Sequence, residues 1–354
     1  MGYTSMGVTL GPALGPVIGG LLDQFLGWRS IFWFLAILCG IMLVLMLCFL
    51  PETSRSVVGN GTIRPQKWNA SIHDILRWRE QRKLKVLITE EPMSLTQRKR
   101  GPSPFDAIVI AGEKEDGMIL IFGALIYAAF FGILSSLPSR LQAEYSFSSL
   151  QIGLCYLPYG LGSLTSRWTV GTLMDWNFRR HAHKRGIPIV KNRQQQLATF
   201  PIELARLQIA LPLVYAASCF ILAYGWVMDY HTSLAGPLIT LFFVGHTATG
   251  AVSCLGTLII DCNVKSPATA QAASQLIRCL FGAGAVACAV PIINRIGMGW
   301  TGTFVAGLWV ICSPMLWAVM IWGSQWREDK RQRIEREEAE GGRSRKACSF
   351  WRRL

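Results

Sequence analysis

The chain has 354 residues, 51% of them hydrophobic and only 16% charged, with a mean hydropathy of +0.34; a pair of soluble domains of that length would carry far more charge. A net charge of +14 would suit nucleic acid, but the basic residues fall between apolar segments and form no basic domain, which excludes nucleic acid as the partner. Ten cysteines would suit a disulfide scaffold, yet Cys39, Cys48, Cys219, Cys254, Cys279, Cys288 and Cys312 lie singly in apolar runs without CxxC spacing and read as small packing residues.

Eight apolar segments follow one another, each near the roughly 20 residues a helix needs to cross a bilayer. They are residues 4–22, 31–50, 118–137, 152–170, 207–228, 234–259, 272–293 and 300–322. The expected fold class is all-α and transmembrane. The first segment has no basic n-region and is threaded with glycine, so it reads as a span and not as a cleaved signal. The organisation is 1–50, two spans; 51–116, a central loop; 117–326, a six-span bundle; and 327–354, a charged tail.

Orientation follows from Lys and Arg. Twelve fall in 51–116, seven in 175–206 and ten after Trp326, against Arg29, Arg140 and Arg295 on the alternate connections. The rich side is expected to be cytosolic, and an even number of spans puts both termini there. Asn60-Gly61-Thr62 and Asn69-Ala70-Ser71 are formal glycosylation acceptors, but they sit in the loop assigned to the cytosol and are expected to stay unmodified.

The first span carries Gly2, Gly11, Gly15-Pro16 and Gly19-Gly20. Gly7, Gly11, Gly15 and Gly19 recur every four residues, which predicts one helix face where a neighbouring backbone approaches closely, and Pro16 bends the helix. The whole pattern resembles the antiporter motif on the fifth helix of drug:proton antiporters of the major facilitator superfamily. Leu50-Pro51-Glu52-Thr53 resembles that superfamily's signature at the end of the sixth helix, and Gly153 to Gly160 is similar to the eighth helix of fungal multidrug exporters. Gly171, Asp175, Arg179 and Arg180 match the superfamily's short cytosolic loop motif, and residues 60–69 resemble the central loop of the quinidine-resistance and polyamine branch.

The resemblance implies a partial major facilitator fold in which the sequence begins at the fifth of twelve helices. The family's proton-coupling acid and a motif arginine would then lie outside it. It further implies export of small hydrophobic or cationic compounds by proton antiport and alternating access, in the plasma membrane. Gly171, Asp175, Arg179 and Arg180 would form a latch closing the cytosolic side, with Asp175 near the positive dipole of a neighbouring helix; their other reading is a topogenic charge cluster. A non-transporting scaffold, self-associating through the glycine face, is the alternative.

Ionisable residues within spans are costly, roughly 2.5–3.5 kcal/mol for a central arginine. Arg278 either faces a wet cavity and an anionic group or packs between helices, while Arg167, near the end of its span, reads as snorkelling. His246 either meets substrate or protons or makes an interhelical hydrogen bond. Tyr127, Phe130, Phe131, Tyr156, Tyr159, Phe242 and Phe243 either line an aromatic cavity or face lipid. Asp261 and Asn263 read as a cap or gate contact, and Asp229 and Glu144 as solvated. Residues 69–90 suggest a basic surface helix, the tail a solvated helix ended by Gly341-Gly342, and Cys348 a candidate for acylation. No Gly-x-Ser-x-Gly, no His-Glu-x-x-His and no histidine cluster is present, so neither an enzyme, a metal nor a cofactor is expected.

Overall fold

The computed structural model describes residues 2–50, 71, 104–186, 200–230, 233–264 and 266–351. The glycosylation acceptors, the central-loop motif, the 69–90 segment and the Cys348 side chain fall outside the description. Every regular element among the described residues is helical: α1 (Gly2–Leu26), α2 (Arg29–Phe49), α3 (Pro104–Gly112), α4 (Lys114–Tyr145), α5 (Ser149–Leu154), α6 (Leu157–Lys184), α7 (Ile202–Asp229), α8 (Ala235–Cys262), α9 (Pro267–Cys312) and α10 (Pro314–Trp351). Five stretches are long and apolar enough to cross a membrane: Arg29–Phe49, Lys114–Tyr145, Ile202–Asp229, Ala235–Cys262 and Pro267–Arg333. The first expected span gives a shorter apolar helix, Leu10–Leu26, and α6 is diluted by Ser, Thr and Arg.

The chain divides into two compact units, Met1–Gly20 with Pro102–Leu354, and Leu21–Gly101. In the smaller unit the chain turns at Gly27, whose φ of 80° favours glycine, and the Ser30 hydroxyl donates to the carbonyls of Leu22 and Gly27. The helix α2 that follows buries none of its residues, as a lipid-facing helix would.

In the larger unit, polar contacts show the chain shuttling between two ends. Asp116, Glu203, Asn263, Arg327 and Lys330 meet at one end; Arg140 with Ile293, and Asp229 with Met298, meet at the other. Six crossings result. The segment expected to span 152–170 is broken: Ser146 ends α4 in the left-handed region at φ 52°, the Ser148 amide donates to Gln151 Oε1 at 2.9 Å to open α5, and a turn at Cys155–Tyr156 restarts the chain as α6 with Pro158 in its first turn. Because α6 then continues to Lys184, Arg167 lies well inside the helix and not near its end.

The last two spans are joined through α9, which is broken only at Gly297 (φ 84°, ψ 168°). Asp229, expected to be solvated, is the device at this break: its Oδ1 accepts the Met298 amide at 3.1 Å, satisfying a free donor where the second half of the helix starts. Gly297 occupies a region that is essentially glycine-only, and a Cβ there would lie 3.2 Å from Asp229 Oδ1. Gly297→Ala is expected to cost about 1–3 kcal/mol, read as a lower unfolding temperature in a bilayer nanodisc.

Helix contacts rest on close backbone approach, as expected where lipid supplies no hydrophobic drive between helices. Gly162 admits the Phe242 carbonyl, Gly245 admits Tyr159, and Gly225 faces Gly299 and Gly302. Trp309, Tyr224 and Phe122 are fully buried among them.

The expected glycine face needs correction. Gly7, Gly11, Gly15 and Gly19 have no atom within 4 Å of where a Cβ would stand. The side of α1 that packs carries Ala13, Pro16 and Gly20: a Cβ on Gly160 would overlap Ala13, one on Gly153 the Pro16 carbonyl, and one on Gly20 the Ser149 carbonyl. The tail also differs from expectation, since α10 runs through Gly341-Gly342 to Trp351 and its first charged residues are bonded into the bundle.

Candidate functional site

The helices α4, α6, α8 and α9 bring an aromatic and polar seam together. Tyr127 and Phe131, one turn apart on α4, have ring centroids 4.4 Å apart. Phe131 meets Phe130 edge-on at 4.9 Å, and Phe130 stacks on Tyr159 of α6 at 4.6 Å. The Tyr159 hydroxyl lies 3.2 Å from Thr249 Oγ1, which is 3.0 Å from Ser163 Oγ. On α9, Gly282 leaves room for the Tyr127 ring, and one turn away Arg278 Nε donates to Ser274 Oγ at 2.9 Å. The seam therefore unites Tyr127, Phe131, Tyr159 and Arg278 and adds Phe130, Ser163 and Thr249. A void of about 10 Å³ beside Ser274 and Arg278 holds one water at most, so the seam is a wall and not an enclosed pocket.

Three candidates lie elsewhere. Tyr156 is buried and donates to the Leu134 carbonyl at 2.7 Å, which ties α6 to α4. Phe243 stacks on Phe220 of α7 at 4.8 Å, on the far side of α8. His246 Nδ1 is 3.1 Å from Thr165 Oγ1 and Nε2 is 3.4 Å from Thr169 Oγ1, the interhelical arrangement that was one of its two readings. A larger hollow, about 690 Å³, is an open groove lined by Trp300, Phe304, Ile311 and neighbours on one face of α9; an apolar groove on a single helix suits an acyl chain.

Gly171, Asp175, Arg179 and Arg180 lie on α6, with Asp175 exposed and nine residues before the helix ends. Arg180 sits over the Trp176 ring at 5.5 Å.

Of a second cluster, the sequence marked only Asp261 and Asn263, as a cap or gate contact. Asp116, 2% exposed, accepts from Lys330 Nζ at 2.7 Å and from Asn263 Nδ2 at 2.8 Å. Lys330 also donates to Asn263 Oδ1 at 3.2 Å. Glu203, in the first turn of α7, pairs with Arg327 Nε at 3.2 Å, and Arg327 donates to the Phe200 carbonyl at 2.7 Å. Arg206 pairs with Asp261 at 3.1 Å, and Arg333 with Glu113. These bonds fasten α10 to the ends of α4, α7 and α8. A signal was present: Arg327, Lys330 and Arg333 recur every third residue, on one helix face, opposite acids that open the predicted spans.

Within this cluster, donor atoms of Glu115, Glu203 and Cys262 lie within 4.8 Å of one another, a set that could ligate a divalent cation. Here Arg327 pairs with Glu203 and the Cys262 thiol donates to Glu115 Oε1 at 3.2 Å, while both Glu203 oxygens are buried without a hydrogen-bond partner.

Six helical crossings packed through glycine, all but α6 long and apolar enough to cross a membrane, with a polar seam between them, define a polytopic integral membrane protein. The chain belongs to the Major Facilitator Superfamily, which it matches over residues 1–287. It is 44% identical to MFS-type transporter clz19 of Cochliobolus lunatus over 93% of this chain and 61% of that protein. It is 43% identical to MFS-type transporter R5 of Phoma sp. (97% and 64%), and 32% identical to citrate exporter 1 of Aspergillus niger (94% and 63%). The chain thus spans under two thirds of the length of these relatives.

Proposed function

We propose that this chain is the larger part of a proton-coupled exporter of small organic compounds, working by alternating access between two helical bundles. The observation that carries it is the seam, where Tyr127, Phe131, Tyr159, Thr249 and Arg278 from four helices share one wall of the six-crossing bundle. In this reading residues 1–50 belong to the first bundle and 51–116 link the bundles. Names of relatives as MFS-type transporters and as a citrate exporter support export of a small metabolite. The motif of α1 supports the drug:proton antiporter branch. The charged end, rich in Lys and Arg, would face the cytosol of a plasma-membrane protein, and Gly171, Asp175, Arg179 and Arg180 would latch that side when a neighbouring helix N-terminus reaches Asp175.

The open row Gly7, Gly11, Gly15 and Gly19 favours a second reading, a scaffold or subunit that self-associates through that face. Proton-driven uptake of rhodamine 6G and citrate into inside-out vesicles separates the two. Flux that collapses with the pH gradient is expected; correctly inserted protein with no flux of either probe, recovered as a dimer, would overturn the exporter reading.

A further inference from the structure

Arg167 and Arg278 are the only Lys, Arg, Asp or Glu within residues 118–139, 157–174, 207–228, 235–260, 267–294 and 296–326. Arg167 is the eleventh residue of α6 and Arg278 the twelfth of α9, which sets each roughly 15–17 Å inside its helix at 1.5 Å per residue. The six-span interior is therefore cationic, with no acid of its own at that depth. A guanidinium does not lose its proton in a protein, so this charge is permanent. Arg278 is half-buried, its bonded partner is the Ser274 hydroxyl, and no carboxylate among the described residues pairs with it. A hydroxyl orients a guanidinium but cannot neutralise it.

The surroundings fit a ligand with one charged and one apolar end. Tyr127 rests against Gly282, one turn along α9 from Arg278, and continues into Phe131 and Phe130. On α6, Arg167 follows Tyr159 and Ser163 at four-residue steps, so it shares their face, and Tyr159 in turn stacks on Phe130. A cation entering here meets two like charges; a carboxylate meets two opposite ones and, at Arg278, a planar donor suited to bidentate bonds.

We propose that the Arg167 and Arg278 face binds the carboxylate of an organic anion, with Tyr127 and Phe131 packing on its apolar body. This rests on the exporter reading in taking that anion as cargo, and it sets aside cationic compounds as the substrate class.

The test is thermal unfolding of the full chain in phosphatidylcholine nanodiscs, titrated with benzoate, citrate and tetraphenylphosphonium. Benzoate is expected to raise Tm in a saturable way and tetraphenylphosphonium to leave it unchanged. Arg278→Gln should weaken benzoate about tenfold, as loss of a charge-assisted bond implies, and Arg278→Lys should recover part of it; both are read after gel filtration shows the parental profile. Stabilisation by tetraphenylphosphonium, benzoate binding unchanged in Arg167→Gln/Arg278→Gln, or a response to added phosphatidylglycerol but to neither carboxylate would each overturn the proposal, the last by assigning the anion to a lipid headgroup. Flux of a cationic dye without carboxylate binding would leave the exporter reading and remove this one. Benzoate binding without flux would do the reverse.

Discussion

Asp116→Ala is expected to lower the stability of the six-crossing bundle by about 3–5 kcal/mol, the usual cost of removing one partner of a buried ion pair. Asp116 is 2% exposed and neutralises Lys330 at 2.7 Å while accepting from Asn263. Its loss leaves the Lys330 ammonium and the Asn263 amide without their shared acceptor. Lys330 is 21% exposed, so part of the loss is recovered if its head reaches solvent, and the low end of the range is the better figure. The second substitution carries the sign of the argument. Asp116→Leu with Lys330→Met removes both charges and should restore most of the loss, because an apolar pair of similar volume avoids the desolvation of two ions. Unfolding in nanodiscs of Asp116→Leu, Lys330→Met and the pair gives all three values, and a double variant as unstable as the sum of the singles would show that the two residues act independently.

Much of the fold is legible in the sequence because a bilayer imposes one dominant rule, continuous apolar length. The rule locates crossings and is blind to their breaks. It read residues 152–170 as one helix where a turn at Cys155–Tyr156 intervenes, because that turn keeps its apolar residues. That misreading displaced Arg167, which looks terminal on the shorter segment and is central on the true α6. The same rule treats charge as exterior, so Asp116, Glu203 and Lys330 drew no reading of their own although they are paired across helices. Their spacing was visible, but their pairing depends on which helix ends meet, a property of the bundle and not of any segment.

The seam was partly legible for a related reason. Tyr127, Phe131, Tyr159 and Arg278 converge, whereas Tyr156, Phe243 and His246 do not. A helix surrounded by lipid on one side and protein on the other is apolar all round, so hydrophobic contrast does not say which face looks inward. Arg278 was the most informative residue, since an arginine at membrane depth needs a reason and its helix face carries the seam with it.

Gly160→Leu is expected to cost at least about 2 kcal/mol and to abolish any transport by the chain, whereas Gly11→Leu should leave both near the parent. The difference lies in what each new side chain meets. At Gly160 even a Cβ overlaps Ala13, backbone included, and at Gly153 it overlaps the Pro16 carbonyl; backbone atoms cannot rotate away as a flexible side chain can, so α1 must move off α5 and α6. At Gly11 and Gly15 the space is open. Rows at four-residue spacing advance about 40° per step around a helix with 3.6 residues per turn, so the eye-catching glycine row curls across the surface while Ala13, Pro16 and Gly20 hold the contact. Unfolding temperature and vesicle flux for the two variants decide the matter. If Gly11→Leu proved the more damaging, the open row would be covered in the working protein, and α1 would owe its glycines to a partner that packs there.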